Sequence, residues 1–174
     1  MAPNRRRIAN GYNRTLLSCG GLIRARCLRP KRVAMTGAEA GSVDVFFYGL
    51  FMDDALLREK GIHPGSRRVA FVENFSLVVG ARATLVPCPG RTAYGVLFSL
   101  THGEVDALYS EASVSVYRPE AVSARLSDGS VIPALCFNLP APPSGDERNP
   151  QYASKLRELA LRIGLPQDYV SSIR

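Results

Sequence analysis

The chain is 174 residues long, 46% hydrophobic and 21% charged, a size and balance that suit one globular domain with a sizeable core and a short tail. No stretch approaches the roughly 20 apolar residues a membrane-spanning helix needs, so no membrane role is expected. The net charge of +7 is unevenly placed: nine of the 22 basic residues and none of the 15 acidic ones fall within residues 1–36, leaving 13 against 15 and a formal −2 on the remainder. The basicity belongs to a tail, and the body has no reason to seek nucleic acid.

Residues 1–42 read as a basic, disordered tail that contributes nothing to the fold, and 43–174 as the folded body. Three readings of the tail stay open. It resembles a mitochondrial transit peptide, it could serve as a basic arm for polyanions, or translation could start at Met35. The expected location is the cytoplasm, or the mitochondrion if the tail is a transit peptide. Cys19, Cys27, Cys88 and Cys136 form no Cys-x-x-Cys pair and have no histidine at ligand spacing. They read as free thiols in a reducing compartment rather than metal ligands.

Val43 to Phe47 is a short apolar strand ending at Tyr48-Gly49. Asp53 and Asp54 then open a helix, acids sitting where the dipole favours them. It runs from Ala55 to Lys60 and stops at Gly61, a natural C-cap. Arg67 to Val79 is rich in Val and Phe and predicts one long or two short strands. Pro87-Cys-Pro-Gly90 predicts a turn, since Pro presets φ and Gly permits φ > 0, and Thr92 to Leu100 predicts another strand. Thr101-His-Gly-Glu104 is a capping box, after which Val105, Leu108, Tyr109 and Ala112 recur at helical spacing on a face expected to be buried. Two strands are predicted over Val114–Leu126 and Val131–Leu139, joined at the hairpin signal Ser127-Asp-Gly-Ser130. After a Pro-rich loop, Asn149-Pro150 supplies an N-cap and Pro at the first helical position. The last predicted helix carries Leu156, Leu159, Ala160 and Ile163 on one face and ends at Gly164. Strands and helices mix without regular βαβ alternation, so the fold class is α+β with a curled sheet.

The chemical equipment follows by subtraction. There is no phosphate loop, no Gly-x-Gly-x-x-Gly and no Gly-x-Ser-x-Gly. The two histidines, His63 and His102, are far apart in sequence, and Lys60 and Lys155 fall on predicted exposed helix faces. Carboxylates, tyrosines and backbone amides remain. Among the carboxylates Glu111 stands out as the only charge between Ala107 and Tyr117. A negative charge at a helix C-terminus beside a partly dry pocket is disfavoured, which would tune it for proton transfer near neutral pH.

Three segments carry a family pattern: Phe46-Phe-Tyr-Gly-Leu-Phe51; Pro89-Gly90, Tyr94-Gly-Val-Leu97 and the helix leading to Glu111 and Tyr117; and Pro150-Gln-Tyr152 with Gly164-Leu-Pro-Gln-Asp-Tyr169. In order and spacing the body resembles the γ-glutamylcyclotransferase family, including AIG2-like proteins. The resemblance implies a small, mixed, strongly curled β-sheet or barrel with a few flanking helices. It implies an enzyme that releases 5-oxoproline from a γ-glutamyl amide or dipeptide, as in glutathione metabolism, with Glu111 as general acid/base. It further implies substrate contacts from Tyr48, Gly49, Leu50, Phe51, Tyr117 and Tyr152, no metal or organic cofactor, and a small-molecule γ-glutamyl substrate as partner, with a homodimer left open. The chain departs from the pattern at Leu50, where a small hydroxyl residue is usual, at Phe51, where Asn or Leu is frequent, and at Ala112, where glycine is common. These departures favour the alternative of a non-catalytic, ligand-binding member of the same fold.

Overall fold

The computed structural model describes residues 41–174; the expectations for residues 1–40 lie outside the described residues. Five strands, β1 (Ser42–Phe47), β2 (Arg68–Val79), β3 (Ala83–Thr101), β4 (Arg118–Leu126) and β5 (Val131–Asn138), close into a barrel in the order β1-β3-β2-β4-β5. Neighbours run antiparallel except β1 and β5, which meet in parallel at Val45 and Leu135 and shut the ring. Around it lie α1 (Asp54–Glu59), α2 (His102–Ser110), α3 (Pro150–Arg162) and α4 (Gln167–Ser172). This is the mixed, curled α+β architecture that the sequence predicts.

The burial of β1 accounts for the closure. Val45, Phe46 and Phe47 are consecutive and only 0, 1 and 3% exposed. Successive strand residues face opposite ways, so β1 is covered on both sides. Each such side chain stabilises the fold by about 1.5–3 kcal/mol. Its partner β3 buries Val96, Leu97 and Phe98 in the same unbroken fashion. In β4 only Val122 and Ala124 are buried, which leaves one face of that strand to solvent. At the barrel end the buried Asn138 carboxamide accepts from the Leu85 amide at 3.2 Å and donates to Glu120 at 2.8 Å. The Thr84 hydroxyl accepts from the Leu139 amide at 3.0 Å, so β3 and β5 are also tied by side chains.

Local signals account for the helix ends. The Asp53 carboxylate caps α1 by accepting from the Ala55 amide, and Gly61 leaves it at φ +76°. Thr101 and Glu104 form the predicted capping box of α2. Asn149 accepts from the Tyr152 amide at 3.0 Å to start α3, and Gly164 follows its end at φ +81°.

Three expectations are corrected. Pro87-Cys-Pro-Gly90 is not a chain reversal but lies inside β3, where Phe75 pairs with Pro87 and Glu73 with Thr92. The intervening residues form a wide bulge facing Asn74, whose side chain accepts from the Gly90 amide at 3.0 Å. Asn74 and Gly90 both take positive φ there, so turn chemistry serves a bulge. The chain reverses instead at Gly80–Arg82, where the Gly80 amide donates to the Arg82 carbonyl. Second, residues 114–117 are turn rather than strand, because the Val114 and Ser115 amides donate to the Glu111 carbonyl. Third, α2 stops at Ser110, which leaves Ala112 exposed rather than on the buried face. The sequence reading also lacks α4, whose Tyr169 packs on Tyr94 with ring centroids 5.1 Å apart.

Gly95 tests the packing of β1 on β3. A Cβ there would overlap the Phe47 carbonyl and lie 2.7 Å from Phe46 Cζ. Gly95→Ala is expected to cost about 1–3 kcal/mol by overpacking, read as a lower urea midpoint at unchanged m-value.

Candidate functional site

Where β1 ends, the chain enters the segment Tyr48-Gly49-Leu50-Phe51 and then a short 3-10 turn over Leu50–Met52. Tyr48 stays in the core, its hydroxyl donating to the Phe137 carbonyl of β5 at 2.6 Å. Gly49 is extended, with φ −110°, so conformation does not require glycine. Space does: a Cβ would stand 2.6 Å from the Tyr152 hydroxyl. That same hydroxyl accepts from the Leu50 amide at 3.4 Å. The Tyr-Gly segment and the Pro-Gln-Tyr element thus meet in one contact.

The loop forms one wall of a cavity of about 340 Å³, within the size range of small-ligand sites. Tyr48, Gly49, Leu50, Phe51, Tyr117 and Tyr152 all line it, as do Tyr109, Phe137, Lys60 and Arg82. Tyr109 stacks on Phe137 at 3.5 Å between centroids and 10° between planes. The Tyr117 hydroxyl donates to the Ala83 carbonyl at 2.7 Å. Burial, and secondarily the neighbouring Tyr152, push its ionisation up to about 12, with Arg82 acting the other way. Burial likewise raises Tyr48, Tyr109 and Tyr152. All four are therefore neutral hydroxyls at physiological pH, able to donate hydrogen bonds but not to act as bases.

Glu111 caps the C-terminus of α2 in extended conformation, with ψ 137°. It is not part of the cavity wall. Its carboxylate meets Lys60 Nζ at 2.5 Å, and Lys60 does line the cavity. The side chains of Lys60 and Glu111 are 27% and 37% exposed, so the expected dry pocket around Glu111 is corrected to a half-open rim. Solvent limits such a pair to roughly 0–1 kcal/mol. Lys60 as a residue is exposed, as predicted, but its side chain folds back. Its ammonium lies 5.9 Å from the Phe51 ring centroid, a cation–π distance. Phe51 also meets Phe47 edge-on at 6.2 Å. The unusual Phe51 thus supports the lysine that holds Glu111.

Lys60, Arg82 and Tyr109 have no place in the sequence-derived site. Tyr109 carries a helical-spacing signal that reads equally as core, and Lys60 reads as surface. Arg82 stands outside any motif. Among the described residues, no group of three or more His, Cys, Asp or Glu side chains could hold a metal ion.

Two measurements follow. Gly49→Ala should be destabilising, and Tyr152→Phe should relieve part of that cost by removing the clashing oxygen. A double-mutant cycle by urea unfolding is expected to show coupling of about 0.5–3 kcal/mol. The raised tyrosines bind their protons more tightly in the folded state. Their stabilisation is complete below pH ~10 and lost as pH rises toward the folded value of Tyr117, about 12. Unfolding midpoints should therefore fall above pH 10, and Tyr117→Phe should flatten that fall.

No protein-family model and no curated protein matches the sequence. Solved structures do match. One described as gamma-glutamyl cyclotransferase superposes with a TM-score of 0.65 at 20% identity, over 76% of this chain and 88% of its own. An uncharacterized protein from Homo sapiens gives 0.65 at 21% identity, over 78% and 89%. YkqA from Bacillus subtilis gives 0.61 at 20% identity, over 76% of this chain and 52% of its own. With the barrel order and the cavity at the end of β1, these likenesses establish that the chain has the γ-glutamyl cyclotransferase fold.

Proposed function

We propose that the protein is a γ-glutamyl cyclotransferase, releasing 5-oxoproline and an amine or amino acid from a γ-glutamyl amide. The observation that carries this reading is the convergence of the Tyr48–Phe51 loop, Tyr117 and Tyr152 on one cavity, with Glu111 tethered at its rim through Lys60.

In the proposed reaction the substrate's α-nitrogen attacks its own side-chain carbonyl. A C–N bond forms to close the five-membered ring, and the original amide C–N bond breaks. The reacting atoms share one molecule, so the protein's task is to hold the folded conformer and to move a proton. Glu111 takes a proton from the α-ammonium and returns it to the departing amine. Lys60 orients the carboxylate until the substrate ammonium competes for it. The amides of Gly49 and Phe51 are the donors available to the oxygen that gains charge, the Leu50 amide being held by the Tyr152 hydroxyl. The neutral tyrosines supply aromatic walls, and Tyr109 and Tyr152 supply further donors, the Tyr48 and Tyr117 hydroxyl protons being given to the Phe137 and Ala83 carbonyls. Leu50 and Phe51 do not obstruct this scheme, because an amide donates whatever its side chain.

Incubation with γ-glutamyl dipeptides should yield 5-oxoproline. Glu111→Gln should lower kcat by about 10²–10⁴-fold while its unfolding midpoint stays near that of the unchanged protein. A Glu111→Gln protein of full activity would refute the assignment. Saturable binding without turnover by the unchanged protein would instead support a ligand-binding role, which the engagement of Glu111 by Lys60 also accommodates.

A further inference from the structure

Arg82 sits in the turn between β2 and β3, half-buried, with its side chain on the cavity. Among the described residues its guanidinium meets no carboxylate, and no hydrogen bond from it to another group is found. The acid that anchors this turn and the acid at the cavity rim are already engaged. Glu147 accepts from the Ser144 amide and hydroxyl and from the Ala81 amide, and Glu111 belongs to Lys60. No acidic residue lines the cavity, so its two cations exceed the one carboxylate at its rim. No guanidinium nitrogen of Arg82 is buried without a partner, so water meets its donors, and a carboxylate entering the cavity would replace that water with a charge-assisted pair.

The turn that carries Arg82 is held in place. Gly80 lies so close to Pro143 that a Cβ would overlap the proline ring. The Ala81 amide donates to Glu147 at 3.2 Å, and Asn149 donates to the Ala81 carbonyl at 3.4 Å. On the other side, Tyr117 donates to the Ala83 carbonyl at 2.7 Å. The chain on both sides of Arg82 is therefore anchored, and the guanidinium is presented to the cavity from a fixed base. Such a planar fork matches a carboxylate in bidentate geometry.

We propose that Arg82 is the specificity residue of this cavity, receiving a carboxylate borne by the departing amine, so that γ-glutamyl compounds of amino acids are preferred over γ-glutamyl compounds of simple amines. This rests on the cyclotransferase reading of the same cavity. The opposed ends of the ligand are then recognised separately: Glu111 and the loop amides take the γ-glutamyl half, and Arg82 takes the half that leaves.

The test uses a matched pair, γ-glutamylalanine and γ-glutamylethylamide, which differ only in that carboxylate. The unchanged protein should prefer γ-glutamylalanine in kcat/KM by about 10- to 100-fold, the range for a hydrogen bond to a charged group. In Arg82→Ala and in Arg82→Gln the ratio should fall toward one, and Arg82→Lys should recover part of it. A ratio that survives both neutral variants, or a preference absent from the unchanged protein, overturns the proposal. An equal fall for both compounds also overturns it, since Arg82 would then serve the γ-glutamyl half or the fold. Calorimetric Kd values for the same pair separate this proposal from the reaction itself. If neither compound is turned over, a Kd preference for γ-glutamylalanine that Arg82→Ala abolishes still supports Arg82, and equal affinities or no binding by either overturn it.

Discussion

The structure depends on a single strand buried on both faces. β1 lies between β3, its antiparallel partner, and β5, its parallel one, and its Val45, Phe46 and Phe47 are almost wholly enclosed. The register of a strand so placed is set by its ladders to both neighbours and by the side-chain volumes that each close-packed face accepts. What leaves its end is fixed with it. Tyr48 is bonded to the Phe137 carbonyl, and Gly49 is pressed against the Tyr152 hydroxyl, so the loop that follows has little freedom. The cavity is therefore built on backbone held by close contacts on both sides, which suits the holding of a ligand in one conformer. Phe137 serves the arrangement twice, through its carbonyl to Tyr48 and through its ring to Tyr109.

The electrostatics of the cavity follow from its lining. Aromatic side chains make up much of the lining, and a charge interaction beside them is stronger than one in open water. Tyrosines held neutral by burial contribute no negative charge. Two cations reach the cavity and a single carboxylate waits at its edge. Under the proposed reading, that balance meets a ligand that carries carboxylates together with one ammonium group. Phe51, out of place in the sequence pattern, is explained by the same balance, since its ring attracts the Lys60 ammonium.

Local signals were legible wherever the chemistry they report is local. The capping box at Thr101 and Glu104, the Asn149-Pro150 start, and the glycines after α1 and α3 each satisfy backbone groups within a few residues. Turn residues were misleading at Pro87–Gly90 because Pro and Gly report backbone dihedrals and not the direction of the chain. The positive φ of Gly90 serves a bulge opposite Asn74. The true reversal at Gly80–Arg82 has neither Pro, Asn nor Asp to mark it. Val114 to Tyr117 has strand composition, but the Glu111 carbonyl captures the amides that a ladder would need.

The sequence by itself determined most of the elements, their capping, the α+β class, and Glu111 as the only charge between Ala107 and Tyr117. It also carried Gly49 and Tyr152 as separate motifs, about a hundred residues apart, with nothing to say that one exists to make room for the other. Only the closed barrel decided that. Contacts such as Gly49 with Tyr152 and Lys60 with Glu111, and the cavity that Arg82 shares with the Tyr48–Phe51 loop, join distant segments. Periodicity and capping are properties of neighbours along the chain, whereas charge balance in a cavity is a property of neighbours in space.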